Sequence, residues 1–599
     1  MERTVRIGGA SGFWGDAAMA TPQLLRAGGL DYIVYDYLAE ITMSILARAR
    51  AEKPEMGYAT DFVSLALKPN LVEIARQKVK IIANAGGVNP QACAAAVRAL
   101  LAERGLALKV AAVTGDDLLA QKEELARAAP AEMFSGEGFP TPGKILSVNA
   151  YLGAFPIAKA LDEGADIVIT GRCVDSAVTL GALIHEFGWQ VEDWDKLAGG
   201  SLAGHILECG PQATGGNFTD WESVIDRLED IGYPIAEVVA DGSFICTKPK
   251  GSGGVVNVGT VSEQMLYEIG DPEAYLLPDV ACDFSRVSIS AEGRDRVKVS
   301  GAKGRPAPDS YKVCATYLDG FRGGLSMSFY GIDASRKAER FAEAVFKRAR
   351  RTLRGLNLPE FTETSIEVIG AESQFGSERR ITTAREVAVK IAAKHPEASG
   401  IGILLKEATG LGLATPPGLS GFAGGRPKPM PVARLFSFTL PKAAVSIAVE
   451  VEGSLHHLTD APGVHFDPSQ LVHPAPPLPS GIEDLVPVPL IALAWARSGD
   501  KGNKANIGVI ARRADYFPYI CRSLSTEVVA ARFAHFLEGK VERFVLPGPS
   551  ALNFLLHEVL GGGGVASLRN DPQGKGYAQL LLEAPIEIPR ALARRDHLL

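Results

Sequence analysis

Acidic and cationic side chains gather in this sequence where an apolar run gives way to polar residues and glycine. That pattern suits proton transfer on a negatively charged substrate. In DYIVYDYLAE the apolar IVY ends at Asp36, and Glu40 lies four residues on, so the two carboxylates share a face if a helix begins there. A carboxylate pair past a strand end can act as general acid and base. The same residues also serve as caps and salt-bridge partners at a helix start, where the dipole favours negative charge. In ITGRCVDSAVTLG the fork of Arg172 can hold a carboxylate or phosphate, Asp175 can orient it or act as a base, and Ser176 opens a helical run. The competing role is an internal Arg172–Asp175 pair with Asp175 as cap. Cys173, a lone cysteine with no assignable histidine partner, reads as structural.

A third cluster, ALAWARSGDKGNKANIGVIAR, crowds Arg497, Asp500, Lys501, Asn503, Lys504 and Asn506 between two apolar strands. It suits binding a phosphate or carboxylate, or docking onto another domain's crevice; a solvated loop is the alternative. GGGGVASLRNDPQGKGYAQ, with Arg569, Asp571 and Lys575, can complete the same surface.

Glycine-rich loops supply backbone donors. In GGASGFWGD, Gly9, Ser11 and Gly12 can hold an anion near Asp16, or form only a tight turn; the run matches neither G-x-G-x-x-G nor a P-loop. NAGGVNP offers Asn84, Gly86 and Asn89 after another strand. ECGPQATGGNF offers Glu208, Gln212, Thr214 and Asn217 as a binding loop, with an Ω-like structural loop as the alternative. The run at 409–432 has the character of a lid or subunit contact. His456 and His457 are adjacent and diverge, and no H-x-H or H-E-x-x-H occurs, so no metal ligands are assigned. His185 and His205 read as packing residues.

The elements that must position these groups alternate between β-rich and helical patterns. Val5–Gly8, Tyr32–Tyr35, Val79–Ala83, Val110–Val113 and Ile167–Thr170 read as strands, and Thr21-Pro22 and Asn89-Pro90 as helix starts. The expected class is α/β, with a Rossmann-like, mostly parallel open sheet in a large domain spanning 1–458. Within it, a β-rich subdomain is expected at 233–331, a long helix near Ala334–Leu353, and a βα stretch from Glu363 to Lys394. Residues 459–489 are rich in proline and read as a linker that few contacts cross. The last part, 490–590, reads as a small α+β domain: strands at IALAWA and NIGVIAR, a helix near Thr526–Leu537, a strand at RFVLPG, a helix at Ala551–Val559 and a final strand YAQLLLEAPIEI.

Length calls for more than one core, since 599 residues exceed what a single core serves. Apolar residues at 46% and charged residues at 22% exclude a mostly disordered chain. A net charge of −7 without a basic block argues against nucleic acid or an anionic membrane as partner. The sequence has no long apolar span and no secretory leader, and its seven cysteines are scattered singly, so a reducing, cytoplasmic location is expected.

Six stretches in order, IGGASGFWGD, DYIVYDYLAE, IIANAGGVNP, ITGRCVDSAVTLG, ECGPQATGGNF and RSGDKGNKANIGVIAR, make the chain resemble the acyclic terpene utilisation (AtuA) family over nearly its whole length. The resemblance implies a large α/β domain followed by a ferredoxin-like domain, and a place in terpenoid or branched acyl-CoA catabolism. It further implies a lyase or hydrolase acting on a substrate like 3-hydroxy-3-alkylglutaryl-CoA. The expected partner is a small acyl-CoA molecule, with no cofactor beyond the coenzyme A moiety of that substrate, and the expected assembly is a homo-oligomer. Two other readings stand beside it: a nucleotide-dependent oxidoreductase, and a non-catalytic binding or scaffold subunit of an acyl-CoA-processing complex.

Overall fold

The apolar runs RIGG, YIVY, KIIA, IVIT and VAAVT are too short for helices and rich in β-branched residues, so they extend. In the computed structural model, which describes residues 3–16, 18–381, 383–421 and 424–599, they form a parallel strip in the order Thr4–Gly9, Tyr32–Tyr35, Lys80–Ala83, Ile167–Thr170, Val110–Thr114. Successive side chains feed two different cores. Val34, Ile82 and Val168 enter the core on one face, and Ile33, Tyr35, Ile81 and Ile169 enter the core on the other. Parallel strands covered by helices on both faces require such continuous apolar runs.

This strip is the centre of a wider sheet. Ile235–Val239, Phe244–Thr247, Arg296–Ser300 and Ser288–Gly293 extend one edge and Ile447–Val451 with Ser454–Leu458 the other, every one antiparallel to its neighbours. Only four of the ten pairings in this eleven-stranded sheet are parallel, so the expectation of a mostly parallel sheet is corrected to a mixed one. Short turns at Gly242 and Gly453, both at positive φ, join edge strands into hairpins, and a hairpin is necessarily antiparallel. The stretch 233–331 is likewise no separate subdomain. Its hairpins complete the main sheet, and its last element, Ser310–Tyr330, is a 21-residue strand that builds a second sheet with Ile145–Ala150, Met430–Pro441 and Glu386–His395.

Helices Ala334–Gly355 and Ala398–Gly410 cover one face of that second sheet through Phe341, Val345, Val389, Ile391 and Leu404. The stretch Glu363–Lys394 is a pair of antiparallel strands and not a βα unit. Within 409–432, Leu419–Ser420 pairs with the long strand, while Phe422 and Ala423 lie outside the described residues. Asn89 caps helix Pro90–Arg104, accepting from Ala92 N at 3.3 Å. Thr21 caps nothing: it lies inside helix Ala20–Ala27, its hydroxyl 2.7 Å from that of Tyr35.

The C-terminal part folds around a four-stranded antiparallel sheet ordered Ala494–Lys501, Lys504–Ala511, Ala551–Leu556, Val541–Leu546. Ala551–Leu556, expected as a helix, is a strand flanked on both sides and wholly buried. A continuous apolar run carries no periodicity to separate the two. Tyr577–Leu582 is a helix, and Pro585–Pro589 is the strand that follows. Its partner is Leu485–Pro489, drawn from the stretch read as linker.

That stretch does not separate two independent bodies. Gly508 comes so close to Leu266 that a Cβ there would sit 2.6 Å from the Leu266 side chain. Asn506 and Asn553 both face the 266–270 segment: Asn506 donates to Leu266 O at 2.6 Å and accepts from Glu268 N at 2.9 Å, while Asn553 donates to Ile269 O at 2.8 Å and Gly270 O at 2.6 Å. Asn553→Leu removes those donors from buried carbonyls, each at about 1–3 kcal/mol. We expect urea to release the small domain first in this variant, with faster proteolysis between residues 459 and 484. Wild-type resistance would show that the asparagine contacts do not hold the docked face.

Candidate functional site

The loops that leave strands Tyr32–Tyr35 and Ile167–Thr170 at their carboxyl ends converge with the first turn of the small domain on a crevice of about 560 Å³. Glu40 comes from the first loop, Arg172 and Asp175 from the second, Glu268 from the end of helix Val258–Leu266, and Asp500 to Lys504 from the turn between the first two strands of the small domain. The second sheet contributes Tyr151 and Lys312, which pairing brings together: Tyr151 N donates to Lys312 O at 2.9 Å.

Arg172 is the hub. Its side chain is 4% exposed; Nη1 donates to Asp175 Oδ1 at 2.6 Å and to Cys173 O at 2.8 Å. The guanidinium stacks 4.1 Å from the centre of the Tyr151 ring, which also carries Lys312 Nζ at 4.6 Å. Its Nε is buried with no partner among the described residues. Burial opposes the charge, but Asp175, Tyr151, Glu40 and Asp36 outweigh it and keep the group cationic. A buried guanidinium with an unspent donor, set in a crevice, is suited to an oxyanion.

The two carboxylates of the DYIVYDYLAE stretch are poised in opposite senses. Burial raises Glu40, yet Lys312, Arg172 and the hydroxyl of Tyr151, which donates to Glu40 Oε1 at 2.6 Å, hold it well below the usual carboxylate range. Asp36 sits behind the crevice wall. Burial, reinforced by the charge on Asp175, lifts it well above the usual range against the pull of Arg172. Asn84 fixes it by donating to Asp36 Oδ1 and accepting from Tyr37 N at 2.7 Å. The two environments thus push the two carboxyl groups in opposite directions.

A second charged group lines the side towards the small domain. Lys575 reaches Glu268 at 3.3 Å and Asp500 at 3.4 Å, and Lys501 lies 4.0 Å from Glu268. Burial and the Glu268 charge push Asp500 up to about 6. Behind the crevice, His205 Nδ1 stands 2.7 Å from Glu208 Oε1, and its Nε2 donates to Met265 O at 3.2 Å. Burial lowers His205 but the Glu208 charge overrides it, and burial raises Glu208. At the rim Lys504 stacks 4.2 Å from the centre of the Phe134 ring and makes no ion pair among the described residues.

Of the residues singled out from the sequence, Glu40, Arg172, Asp175, Asp500, Lys501, Asn503 and Lys504 line the crevice together. Asp36, Asn84 and Ser176 lie directly behind it, Ser176 with a buried, unpartnered hydroxyl. The remainder serve packing elsewhere. Gly9 and Gly12 let the first strand's end lie against Leu207 and Cys209, where a Cβ would come within 2.7 Å and 2.9 Å of backbone atoms, and Ser11 donates to Asp36 O at 3.0 Å. Gly86 abuts Thr170 O. Gln212 and Asn217 accept from Arg497, and Thr214 donates to Pro211 O, so this loop is the platform on which the small domain docks. His185 is a surface partner of Asp162.

Tyr151, Lys312 and Glu268 are not singled out by the sequence, and Glu208 and His205, expected as a binding-loop residue and a packing residue, stand as a pair 2.7 Å apart. Tyr151 and Lys312 carry no glycine or spacing signal, because strand pairing between distant segments is what makes them neighbours. Comparison with known families decides the wider placement: the model of the acyclic terpene utilisation family protein AtuA matches residues 5–451 and that of the AtuA ferredoxin-like domain matches 488–587. The chain belongs to the AtuA family. Membership implies a role in acyclic terpene utilisation and gives the C-terminal part of this AtuA protein a ferredoxin-like fold. No curated protein and no solved structure matches the chain. No described helix of this AtuA chain is long and apolar enough to cross a membrane.

Below about pH 6 Asp500 takes up its proton and the crevice loses one negative charge. Affinity for an anion that does not itself titrate, such as an alkyl sulfate, should therefore rise as pH falls through 6, and Asp500→Asn should flatten that rise. Calorimetric titrations across this range test it. A pH dependence left intact in the variant would assign the titration to another group. Arg172→Ala should weaken the same anion by roughly tenfold or more, the scale of one charge-assisted hydrogen bond.

Proposed function

We propose that the crevice is an acyl-CoA-processing active site, and that the reaction is carbon–carbon lysis of a branched 3-hydroxyacyl thioester. The observation that carries this reading is the buried cation Arg172 on the crevice wall, paired with Asp175 at 2.6 Å and flanked by carboxyl groups shifted in opposite directions, Asp36 upward and Glu40 downward. Lysis of this kind needs a base for the 3-hydroxyl proton and a cation for the enolate oxygen that forms as the C2–C3 bond breaks. It also needs an acid to return a proton to C2.

Asp175, 2.6 Å from the guanidinium and on the crevice wall, is placed to take the hydroxyl proton. Arg172 lines the crevice and is the cation set to meet the thioester oxygen. Asp175, once it has taken the hydroxyl proton, is the group on the wall that returns one to C2, and Glu40 keeps Lys312 and Tyr151 in register around the cation. Lys504 at the rim, which makes no ion pair among the described residues, suits the phosphates of coenzyme A. Hydrolysis of the thioester uses the same groups with water as nucleophile, and product analysis separates the two: lysis yields a shortened acyl-CoA and a carbonyl compound, hydrolysis yields free thiol.

Incubation with a 3-hydroxy-3-methylglutaryl-CoA type substrate should release product. Asp175→Asn should lower kcat by ~10²–10⁴, the usual weight of a general base, with KM little changed. Arg172→Lys keeps the charge but not the fork, and should lose kcat as well. Binding of coenzyme A esters with no turnover of any of them would leave a binding subunit as the surviving reading. Stabilisation by nicotinamide nucleotides alone would favour an oxidoreductase.

A further inference from the structure

Beside the polar crevice lies a second cavity, of about 530 Å³, roofed by the small domain and floored by the second sheet. The middle of its floor carries only the small residues Gly324 and Ala392, with Ser326, Arg322 and Lys390 around them. Gly324 pairs directly with Ala392 across the antiparallel ladder, so the sheet presents nothing larger than a methyl group there. This is the face turned away from the helices, since a Cβ on the neighbouring Gly323 would strike Ile401 of helix Ala398–Gly410. Ile41 and Met430 form the sides, and Leu568 and Pro572 hang from the loop above.

The two cavities adjoin. Gln573 lines both and donates to Asp500 Oδ1 at 3.2 Å, and Glu40 of the crevice is followed in the chain by Ile41 of the groove. The groove does contain cations, but they are engaged by the protein. Lys390 is bound by Glu367 at 2.8 Å and Leu568 O at 2.6 Å, Arg322 donates to Ser567 O at 3.0 Å, and Arg569 donates to Val559 O and, at 3.2 Å, to Phe536 O. Side chains so occupied make the groove a poor phosphate site and leave its apolar walls as the available surface.

We propose that this groove is the hydrocarbon subsite of the enzyme, taking the aliphatic chain of an acyl substrate whose thioester head lies at Arg172. The proposal rests on the reading of the crevice as an acyl-CoA site and adds what that reading lacks, a place and a preference for the chain. Each methylene that enters such a groove leaves water and strengthens binding by about fourfold until the groove is full. Short acyl groups should therefore bind weakly and medium to long ones tightly.

The test uses two series on the full-length protein: butyrate, octanoate and dodecanoate, and the coenzyme A thioesters of the same acids, all by calorimetry. In the wild type, affinity should climb at least tenfold from the four-carbon to the eight-carbon member of each series. Ala392→Leu and, independently, Ser326→Phe fill the floor; they should abolish that climb while leaving the butyryl affinity unchanged. Melting curves establish which variants are folded, and the wild-type slope stands as a test even if neither is. A climb in the carboxylate series that the variants abolish, without binding of any thioester, would support the groove and sink the acyl-CoA reading. Equal affinity along the chain in both series, or a climb that folded variants leave intact, would overturn the hydrocarbon subsite.

Discussion

A buried guanidinium cannot stand alone, and much of this molecule is arranged around the one at Arg172. Its backbone nitrogen is anchored by the carboxylate of Asp116 at 2.8 Å, its side chain by Asp175, and its face by the Tyr151 ring. Burying a charge is costly unless partners compensate, and here the partners arrive from the parallel strip, from the second sheet and from the loops between them. The charge is thereby held in the protein interior with only Nη1 engaged in hydrogen bonds among the described residues. The same charge acts on the surrounding carboxyl groups: Glu40 is held below the usual carboxylate range because Lys312 and Arg172 oppose its burial, and Asp36 is raised because burial and Asp175 together exceed what Arg172 supplies.

The architecture follows from the need to bring those partners to one place. A parallel sheet offers its carboxyl edge as a crevice floor, yet that edge alone supplies only Glu40, Arg172 and Asp175. The long strand Ser310–Tyr330 does two jobs, since its first half pairs with Ile145–Ala150 beside the crevice and its second half floors the apolar groove. Both cavities are thus laid along one element. The small domain closes both spaces at once, with the 500–504 turn over the crevice and the 561–573 loop over the groove.

Much of this was legible in the sequence, and the boundary of legibility has a physical cause. The five parallel strands and the cluster of Glu40, Arg172, Asp175 and the 500–504 turn could be read because each announces itself locally, by a β-branched run ending in polar residues and glycine. The mixed character of the sheet could not, because a hairpin edge strand and a crossover strand share one composition; only the connection tells them apart. Ala551–Leu556 failed as a helix for the same reason, an apolar run without period. Gly9, Gly12, Gln212, Thr214 and Asn217 were read as ligand contacts from composition that serves close packing equally well. Tyr151 and Lys312 stayed silent because their meaning lies in register between strands far apart in the chain.

Asp500, Lys501 and Lys575 come from the last hundred residues, and they complete a site whose hub lies at Arg172. Synthesis runs from the amino terminus, so a nascent chain folds its parallel strip and positions Arg172 well before the residues that cover it have left the ribosome. During that interval Glu268 lacks the two lysines that oppose its burial, because Lys501 and Lys575 both belong to the small domain. When the 266–270 segment receives Asn506 and Asn553, the docking of the C-terminal sheet brings those cations in and completes the balance of charge on that side of the crevice.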